Sequence, residues 1–330
     1  MASKIRRKEC DHDFAEQRVD WSGLMKVAVI GGTGFVGAYV VDALMSAGHD
    51  VSLLVRSGSE YKVRQAKIWR LVAGDLSSDA AIDAALSGCD AVVYSVGLLR
   101  EFPKQHITYE NTQYDGVVKV VASAQRNKLE RFLLLSANGI KMPGTPYQVT
   151  KFRAEEHLAA SGLNATVFRP SVIFGNPCGT MEFATQLYRD MVASPLPAIG
   201  FFSGFNPGKG RVLMSPAYVG DVAAAISNTL EQDSAVGRTY LLGGPDILSW
   251  QEMIRRIAAA VNRNKWIAPM PIGMMKLAAF LFDWLPFFPV TRDQLTMLEE
   301  NNTADPATLQ KLAGRPLTAF DVDSLSYLNN

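Results

Sequence analysis

A tyrosine and a lysine stand one helical turn apart in the stretch "PYQVTK", residues 146–151, shortly after an apolar run that ends at Ser136. Tyr147 and Lys151 are spaced i and i+4, so a helix places both on one face. A lysine ammonium stabilises phenolate, and moving the pKa of tyrosine from about 10 to near neutral requires roughly 4 kcal/mol. The three side chains are therefore candidate catalytic residues: Ser136 orients a carbonyl or hydroxyl group, Tyr147 moves the proton and Lys151 tunes the phenol.

The sequence around Tyr147 and Lys151 helps to decide whether the pair is catalytic or lies on an ordinary solvated helix surface. On spacing alone, Y-x-x-x-K is a weak signal, because a solvated helix face often carries it. Here it follows an apolar strand with a serine at its carboxyl end, and Pro146 suits the first turn of a helix. Together with the glycine-rich turn described below, this context favours the chemical interpretation.

Apolar strands alternate with helices along most of the chain. From Lys26, the segment "KVAVIGGTGFVGAYVVDALMSAGHDVSLLV" contains a strand, a glycine turn, a helix closed by Gly48 and a second strand. The alternation continues to "ATVFRPSVIFG", and a later strand in "RTYLLGG" is expected to rejoin the main sheet. This pattern predicts an α/β fold with a Rossmann-type, doubly wound parallel sheet that helices cover on both faces.

The turn "GGTGFVG" after the first strand has glycines at Gly31, Gly34 and Gly37. In this strand-turn-helix context, Gly31 makes the tight turn, Gly34 lets a pyrophosphate approach the backbone, and Gly37 lets the helix pack closely on the strand. The alternative is a tight turn that binds nothing. We predict a nicotinamide dinucleotide site whose contacts from this turn are Gly31, Thr33, Gly34, Phe35, Val36 and Gly37.

The end of the second strand bears on which dinucleotide binds. An NAD site usually carries Asp or Glu there, whereas this chain has Val55 followed by Arg56 and Ser57. A guanidinium pairs well with the 2'-phosphate of NADP, with help from Lys62 or Arg64. The alternative is a solvated basic loop. We therefore predict that NADP(H) is favoured over NAD(H), with Arg56 and Ser57 in contact with it.

Three further residues complete the predicted cofactor site. Asp75, at the end of the third strand, is expected near the adenine ring, and Gly97, after the fourth strand, is expected to close the cofactor cleft. Lys151 is also expected to bind the nicotinamide ribose. Because open α/β sheets bind ligands at the carboxyl ends of their strands, these positions suit one shared site.

A change of rhythm after Gly175 predicts a second lobe. Pro- and Gly-rich connections such as "SPLPAIGFFSGFNPGKG" replace the regular alternation. The predicted division gives a flexible tail over 1–24, an NAD(P)-binding Rossmann domain over 25–176 and 211–245, and a smaller substrate or partner lobe over 177–210 and 246–330. Met25 is an alternative natural start, because the preceding stretch mixes acidic and basic residues without an apolar run.

Composition and charge exclude several classes of function. A formal net charge of +1, with no arginine-rich or aromatic-interleaved basic run, gives no reason to expect nucleic-acid binding. The histidines and cysteines show no metal-ligand spacing, so we predict no metal. The absence of a recognisable targeting pattern predicts a cytoplasmic location, with the periphery of the inner membrane as an alternative.

The combined motifs resemble a known superfamily. The glycine turn, "GD" at residues 74–75, Ser136, "YQVTK" and "FRPSVIFG" are similar to the extended or atypical short-chain dehydrogenases/reductases. Within it, "YVGDVAAAI", "TYLLGGPDILSWQEMIRRIA" and "FPVTRDQLTMLEENNTAD" resemble the NAD(P)H-binding accessory subunits of respiratory complex I, alpha-subcomplex subunit 9, and their bacterial relatives. The resemblance covers nearly everything from Lys26 to Leu328.

This resemblance implies a fold and a set of roles. It implies a Rossmann fold that holds NADP(H) through the positions of Gly31, Gly34, Gly37, Arg56 and Lys151. Members built into complex I hold the nucleotide structurally, whereas many relatives reduce carbonyls or epimerise sugar nucleotides with Ser, Tyr and Lys. One departure is "NTQYDG", which has Gln113 where enzymes of the extended group usually have an asparagine.

The segment "APMPIGMMKLAAFLFDWLPFFPV", residues 268–290, is the most apolar part of the chain. Lys276, Asp283 and several prolines interrupt it, so it lacks the run of about 20 apolar residues that spans a bilayer. Two interpretations remain: a buried helix of the substrate lobe, or a surface element that contacts lipid or a protein partner. A membrane surface or a respiratory complex is therefore a possible partner through 268–290.

The sequence thus supports two main functional hypotheses. The first is an NADP(H)-binding, oxidoreductase-like protein of the complex I accessory-subunit type. The second is a free NADPH-dependent reductase or epimerase/dehydratase that uses Ser136, Tyr147 and Lys151 on a carbonyl, quinone or sugar-nucleotide substrate. A nucleotide-free scaffold ranks last, because it leaves the glycine turn without a purpose. Turnover after Tyr147→Phe separates the first two, since only an enzyme needs the phenol.

Overall fold

The computed structural model describes residues 23–65, 67–98, 100–105, 107–204, 210–276 and 292–329. The predicted tail therefore lies almost wholly outside the described residues, as do residues 277–290 of the apolar segment. Residues 268–271 of that segment belong to a strand, and 272–276 form a helical turn. The two interpretations of the segment, a buried helix or an interaction surface, therefore remain predictions for residues 277–290.

A seven-stranded parallel sheet forms the centre of the fold, as the alternation of strands and helices predicts. Its strands in chain order are β1 (Lys26–Ile30), β2 (Asp50–Val55), β3 (Arg70–Ala73), β4 (Ala91–Tyr94), β5 (Arg131–Leu135), β6 (Ala165–Pro170) and β7 (Thr239–Leu242). In space their order is β7-β6-β5-β4-β1-β2-β3. The late strand from "RTYLLGG" does rejoin the sheet, where β7 pairs with β6.

The spatial order reverses between β1 and β4. The connection after β1 runs toward β2 on one side of the sheet, and the connection after β4 runs toward β5 on the other side. A crevice therefore lies between the two connections, at the carboxyl ends of β1 and β4. Open α/β sheets bind ligands at such a switch point. The glycine turn follows β1 and Ser95–Gly97 follow β4, which places both at this crevice.

Helices cover both faces of the sheet. The helices in chain order are α1 (Phe35–Ser46), α2 (Asp79–Leu86), α3 (Gly116–Arg126), α4 (Pro146–Ala160), α5 (Phe183–Leu187), α6 (Val219–Thr229), α7 (Trp250–Ala260), α8 (Arg292–Glu299) and α9 (Pro306–Ala313). Buried residues of α1, α6 and α9 form one core with the sheet, and those of α2, α3 and α4 form another on the opposite face. Parallel strands buried on both faces need the continuous apolar runs that this sequence supplies, such as "RFLLL" in β5.

A third core is formed by buried residues between Phe174 and Leu328, and the elements that contribute to it are called the C-terminal lobe below. Two-stranded pairings build its frame: Ala198–Phe202 runs parallel to Ile267–Pro271, and Leu213–Met214 runs antiparallel to Leu248–Ser249. Helix α7 starts at a capping box in which the Ser249 and Glu252 side chains satisfy each other's backbone amides. Buried side chains of α5 and α7 pack in this core. No helix in the described part of the chain is long and apolar enough to cross a membrane.

Candidate active site and cofactor cleft

The glycine turn after β1 has a backbone that only glycine permits at two positions. Gly31 has φ +93°, in the left-handed region, and its carbonyl accepts a hydrogen bond of 2.9 Å from the Gly34 amide. A Cβ atom on Gly37 would lie 2.1 Å from the Gly31 carbonyl oxygen and 2.7 Å from Ser95 Oγ. Helix α1 therefore packs against the turn at a distance that a side chain at residue 37 would prevent.

The first turn of α1 leaves its backbone amides available. Gly34 caps the helix and has no side chain to accept a hydrogen bond from them, and no acidic residue lies in the first turn. Free amides and the positive end of the helix dipole together favour an anion such as a phosphate. The residues of the turn that line the adjoining cleft are Gly31, Thr33, Gly34, Phe35 and Val36, whereas Gly37 lies behind them.

A cleft of about 1360 Å³ runs along the carboxyl ends of the strands from this turn into the C-terminal lobe. It brings together most of the site residues predicted from the sequence. Besides the residues of the turn, Arg56, Asp75, Gly97, Ser136, Tyr147 and Lys151 line it. Ser57 is exposed and does not line the cleft, so the structure separates it from this group.

The end of the cleft beyond β2 is basic. Arg56 and Lys62 line it, together with Lys119. Arg64, the other predicted helper, is engaged elsewhere: its guanidinium lies 3.5 Å from Asp42 and 4.9 Å from the centroid of the Tyr39 ring. Because β2 ends in Val55, no side-chain carboxylate stands at its last position, where NAD sites usually have one.

Asp75 lies near this basic end, and its carboxylate is already hydrogen-bonded. Oδ1 accepts from the Ser77 amide at 2.8 Å and from Ser77 Oγ at 2.5 Å. These bonds lower the pKa of Asp75, and the charges of Arg56 and Lys119 lower it further. The Asp75 side chain therefore stays negative and fixed at neutral pH.

Ser136 is held by the sheet at the residue after β5. Its amide donates to the Phe168 carbonyl at 2.7 Å, which extends the pairing of β5 with β6 by one residue. Its Oγ atom is buried and has no hydrogen-bond partner among the described residues. A buried hydroxyl without a partner is costly, and such groups in native proteins often serve a ligand. Ser136 Oγ therefore has its full hydrogen-bonding capacity available in the cleft.

Helix α4 positions Tyr147 and Lys151. It begins at a capping box between Thr145 and Gln148, with Pro146 in the first turn. Lys151 Nζ donates to the Leu135 carbonyl at 3.3 Å and lies 5.8 Å from the centroid of the Tyr147 ring. Because Leu135 precedes Ser136, this bond ties the lysine to the strand that carries the serine. The three candidate catalytic residues thus meet at one end of β5.

The pKa values of the pair differ from the expectation of a phenol tuned toward neutrality. Burial raises the pKa of Tyr147, and the nearby Tyr109 hydroxyl raises it further. Burial also lowers the pKa of Lys151 to about 8, against a smaller opposite effect of Glu155. Desolvation thus outweighs any stabilisation of phenolate by the ammonium. Tyr147 is protonated at neutral pH, which suits a group that donates a proton.

A stability measurement tests the strain that Lys151 introduces. Because folding lowers its pKa from 10.5 to about 8, the unfolded chain binds this proton more tightly, and the penalty is full below pH 8 and vanishes above 10.5. Lys151→Met is therefore expected to raise the free energy of unfolding at pH 7 by about 2–3 kcal/mol. Chemical denaturation at pH 7 and at pH 9.5 should show this gain shrinking at the higher pH. An equal gain at both pH values would mean that packing, rather than charge burial, causes it.

Several cleft residues were not found from the sequence. Tyr109 packs edge-on against Tyr147, with ring centroids 5.5 Å apart. Asn302 lines the cleft, and its Oδ1 atom is buried without a hydrogen-bond partner among the described residues. Tyr109 stands in no recognised motif, and Asn302 lies in the stretch "FPVTRDQLTMLEENNTAD", whose resemblance to a family does not by itself indicate a position in the cleft. Gln113, which departs from the superfamily pattern, is buried in a π-helical turn over Glu110–Asp115 and accepts from Thr150 Oγ1 at 3.1 Å.

The cleft fits a nicotinamide dinucleotide in its shape and its donors. The close approach of Gly31 and Gly37 leaves the uncapped first turn of α1 open to a phosphate, and the basic end lies at the adjacent strand. The unpaired Ser136 Oγ and the Tyr147–Lys151 pair lie further along the same cleft. Within the described residues, no group of acidic, histidine or cysteine side chains is arranged to hold a metal ion.

Comparison with known proteins agrees with this description. Residues 31–190 match a family model described as NAD(P)H-binding. The chain is 27% identical over 307 residues to the Arabidopsis thaliana mitochondrial NADH dehydrogenase [ubiquinone] 1 alpha subcomplex subunit 9, covering 87% of this chain and 71% of that protein. It is 23% identical over 280 residues to UDP-glucose 4-epimerase of Vibrio cholerae, covering 78% of this chain and 82% of the epimerase.

The fold has solved counterparts as well. The structure of Thermus thermophilus UDP-glucose 4-epimerase in complex with NAD superposes with a TM-score of 0.68 at 18% identity, covering 92% of this chain and 98% of that one. At this identity the likeness shows the fold. Residues 31–190 thus match an NAD(P)H-binding family, and the chain as a whole is similar in sequence to the alpha-subcomplex subunit 9 protein and shares the fold of the NAD-bound epimerase.

Proposed function

We propose that this protein is an NADP(H)-dependent reductase of carbonyl compounds, with Ser136, Tyr147 and Lys151 as its catalytic residues. The observation that carries the proposal is the continuity of the cleft. It runs from the glycine turn past these three side chains into the C-terminal lobe, so that one cavity adjoins the predicted cofactor contacts, the proton donor and a large second compartment. A protein that only stores a nucleotide has no need of that second compartment.

Each catalytic side chain has a distinct task in this proposal. NADPH held by the glycine turn, Arg56 and Lys151 would supply the hydride for the carbonyl carbon and would be converted to NADP⁺. Ser136 Oγ donates a hydrogen bond to the carbonyl oxygen, and it is available to do so because no described residue forms a hydrogen bond with it. Tyr147 gives its hydroxyl proton to that oxygen, so the product is an alcohol, and solvent returns the proton. Lys151 stabilises the resulting phenolate and binds ribose hydroxyls.

The cofactor preference in this proposal rests on Arg56. Its side chain is exposed at the basic end of the cleft, near Lys62, and β2 ends without a carboxylate that would bind the ribose of NAD. A guanidinium forms charge-assisted hydrogen bonds with a 2'-phosphate that NADH lacks. We therefore propose that NADPH binds more tightly than NADH.

Fluorescence titration of NADPH and NADH tests this proposal. Arg56→Ala is expected to weaken NADPH binding about 10- to 100-fold, which corresponds to the roughly 1.5–3 kcal/mol of a hydrogen bond to a charged group. NADH binding should change less than about two-fold, since it has no 2'-phosphate. Arg255→Ala is the matched control, because Arg255 is exposed on α7 and does not line the cleft. A wild-type protein that prefers NADH would contradict the assignment.

A second function deserves a test because of the relatives. The similarity to subunit 9 of the mitochondrial NADH dehydrogenase alpha subcomplex favours a nucleotide-holding component of a respiratory assembly. In that function the glycine turn and Arg56 still bind NADP(H), but the protein catalyses no reaction and the Tyr147 hydroxyl transfers no proton. Cofactor binding is therefore common to both functions, and only the dependence of turnover on Tyr147 separates them.

A further inference from the structure

The part of the cleft beyond Tyr147 differs in character from the cofactor end. We define the distal half as the portion lined by residues between 172 and 302. Its walls are largely apolar and include Met181, Phe183, Met191, Phe201, Met214 and Trp250. Met191, Phe201, Met214 and Trp250 are also buried members of the core of the C-terminal lobe, and Phe183 packs against that core. The distal half is therefore a continuation of the cleft with an apolar surface.

Its aromatic wall is held in place. Trp250 Nε1 donates to the Ile199 carbonyl at 3.0 Å, and its ring packs against Phe201 at 5.5 Å and against Phe183 at 6.2 Å between centroids. These contacts fix the indole and satisfy its one polar atom. Met181, Met191 and Met214 line the same part of the cleft, and methionine side chains adapt to ligands of varied shape. A fixed aromatic surface with adaptable neighbours suits an extended apolar group.

The charges of the distal half complete this description. Among the described residues from 172 to 302 that line the cleft there is no lysine or arginine; the lysine and arginine side chains that line it all lie earlier in the chain. Three acidic residues line the distal half, and each has a protein partner. Glu182 accepts from two backbone amides and from Tyr327, Asp190 pairs with Arg189, and Glu300 pairs with Lys141.

These charges disfavour a nucleoside diphosphate. A pyrophosphate placed in the distal half would lose its hydration and would meet carboxylates without a compensating cation from the described lining. An uncharged chain has no such cost, and its burial against methionine and aromatic side chains is favourable. Electrostatics and apolar burial therefore both favour an uncharged chain over a nucleoside diphosphate in the distal half.

We propose that the distal half binds the hydrocarbon chain of an uncharged, lipid-like carbonyl compound, and that sugar nucleotides are not substrates. The proposal rests on the proposed function, because it assumes that the carbonyl meets Ser136 and Tyr147. The chain then extends away from the cofactor along Met214 and Trp250 toward Met297 and Leu298 of α8, which also line the cleft. Affinity must accordingly depend on chain length.

Calorimetric titration of straight-chain 2-alkanones, from 2-butanone to 2-decanone, into the protein saturated with NADP⁺ tests this proposal. Each buried methylene is expected to strengthen binding about three- to four-fold until the chain fills the distal half. UDP-glucose, titrated in the same way, is expected to show no binding. Affinity that does not change with chain length, or UDP-glucose binding tighter than 2-decanone, would overturn the proposal.

Two charge variants separate the distal half from unspecific binding. Met297→Arg places a cation in the apolar wall and is expected to weaken 2-decanone binding at least ten-fold. Met274→Arg is the control, because Met274 is 63% exposed and does not line the cleft, and it should leave the affinity unchanged. Equal losses in both variants would contradict the assignment of the site.

The same titrations keep this inference separate from the proposed function. NADP⁺ affinity is measured first, and it should be the same in the wild type and in Met297→Arg. If the protein binds NADP⁺ but no alkanone, the result supports the proposed cofactor site and contradicts the proposal that the distal half binds a hydrocarbon chain. If the protein binds 2-decanone with the expected dependence on chain length but binds neither dinucleotide, the result supports the role of the distal half. The same result contradicts the proposed reductase function.

Discussion

Tyr147→Phe is expected to lower NADPH-dependent carbonyl reduction by about 10²- to 10⁴-fold, the usual contribution of a positioned acid. The variant keeps the ring that packs against Tyr109 but loses the hydroxyl proton. Because burial raises the pKa of Tyr147, the wild-type phenol is protonated and able to donate at neutral pH. NADPH affinity should change less than about two-fold, since the proposed contacts with phosphate and ribose do not involve this hydroxyl. Steady-state oxidation of NADPH in the presence of 2-decanone measures the effect.

Two controls make the result interpretable. Tyr240→Phe removes a hydroxyl from a tyrosine that stacks on Phe168 and does not line the cleft, and it should leave turnover unchanged. Fluorescence titration shows whether each variant still binds NADPH. Unchanged turnover in Tyr147→Phe would mean that another group supplies the proton. A wild-type protein that binds NADPH tightly and reduces no carbonyl compound would favour the nucleotide-holding function instead.

The sheet was predictable because its signals are local. Each strand is a short, mostly apolar run, and several helices have a side-chain cap or a glycine at one end, so the alternation follows from neighbouring residues alone. The spatial order β7-β6-β5-β4-β1-β2-β3 does not follow from such signals, but the handedness and length of the connections restrict it strongly. The late strand β7 was recognised by its composition and by the helix before it.

The candidate site was predictable where backbone geometry imposes a residue type. Gly31 needs a positive φ and Gly37 needs a missing Cβ, and both requirements are visible in sequence as glycine spacing. By contrast, Ser57 was expected at the cofactor, but it is exposed and does not line the cleft, although Arg56 beside it does. A position beside a motif does not fix the direction of an exposed side chain.

Other parts of the site depend on contacts between distant residues. Gln148 Nε2 donates to Glu300 at 2.7 Å, across 152 positions of sequence, and Asn138 Nδ2 donates to the Thr303 carbonyl at 3.0 Å, across 165. These bonds bring the segment that carries Asn302 to the end of β5. No periodicity or local motif encodes such a contact. The raised pKa of Tyr147 was missed for a related reason, since desolvation by distant segments determines it.

Gly37→Ala tests whether the close approach of α1 to the glycine turn is essential. Inside a helix, glycine to alanine normally stabilises by about 1 kcal/mol. Here the new Cβ would lie 2.1 Å from the Gly31 carbonyl oxygen, which is backbone and unable to rotate away. Overpacking typically costs about 1–3 kcal/mol, and a contact this short with backbone puts the cost at the upper end of that range, so the sign is expected to reverse, with a net loss of about 2 kcal/mol. Chemical denaturation measures it.

The same substitution should also weaken cofactor binding. Relief of the clash requires Gly31 and the start of α1 to separate, which moves the amides of the first turn away from the position that suits a phosphate. NADPH affinity is therefore expected to fall at least about 10-fold, the equivalent of 1.4 kcal/mol, beyond what the loss of stability alone explains. Gly273→Ala is the control, because a Cβ there meets no atom of the described residues within 4 Å and Gly273 does not line the cleft. Unchanged affinity in Gly37→Ala would mean that phosphate binding depends on Arg56 and its neighbours rather than on the helix start, and the glycine turn would then be a requirement of packing alone.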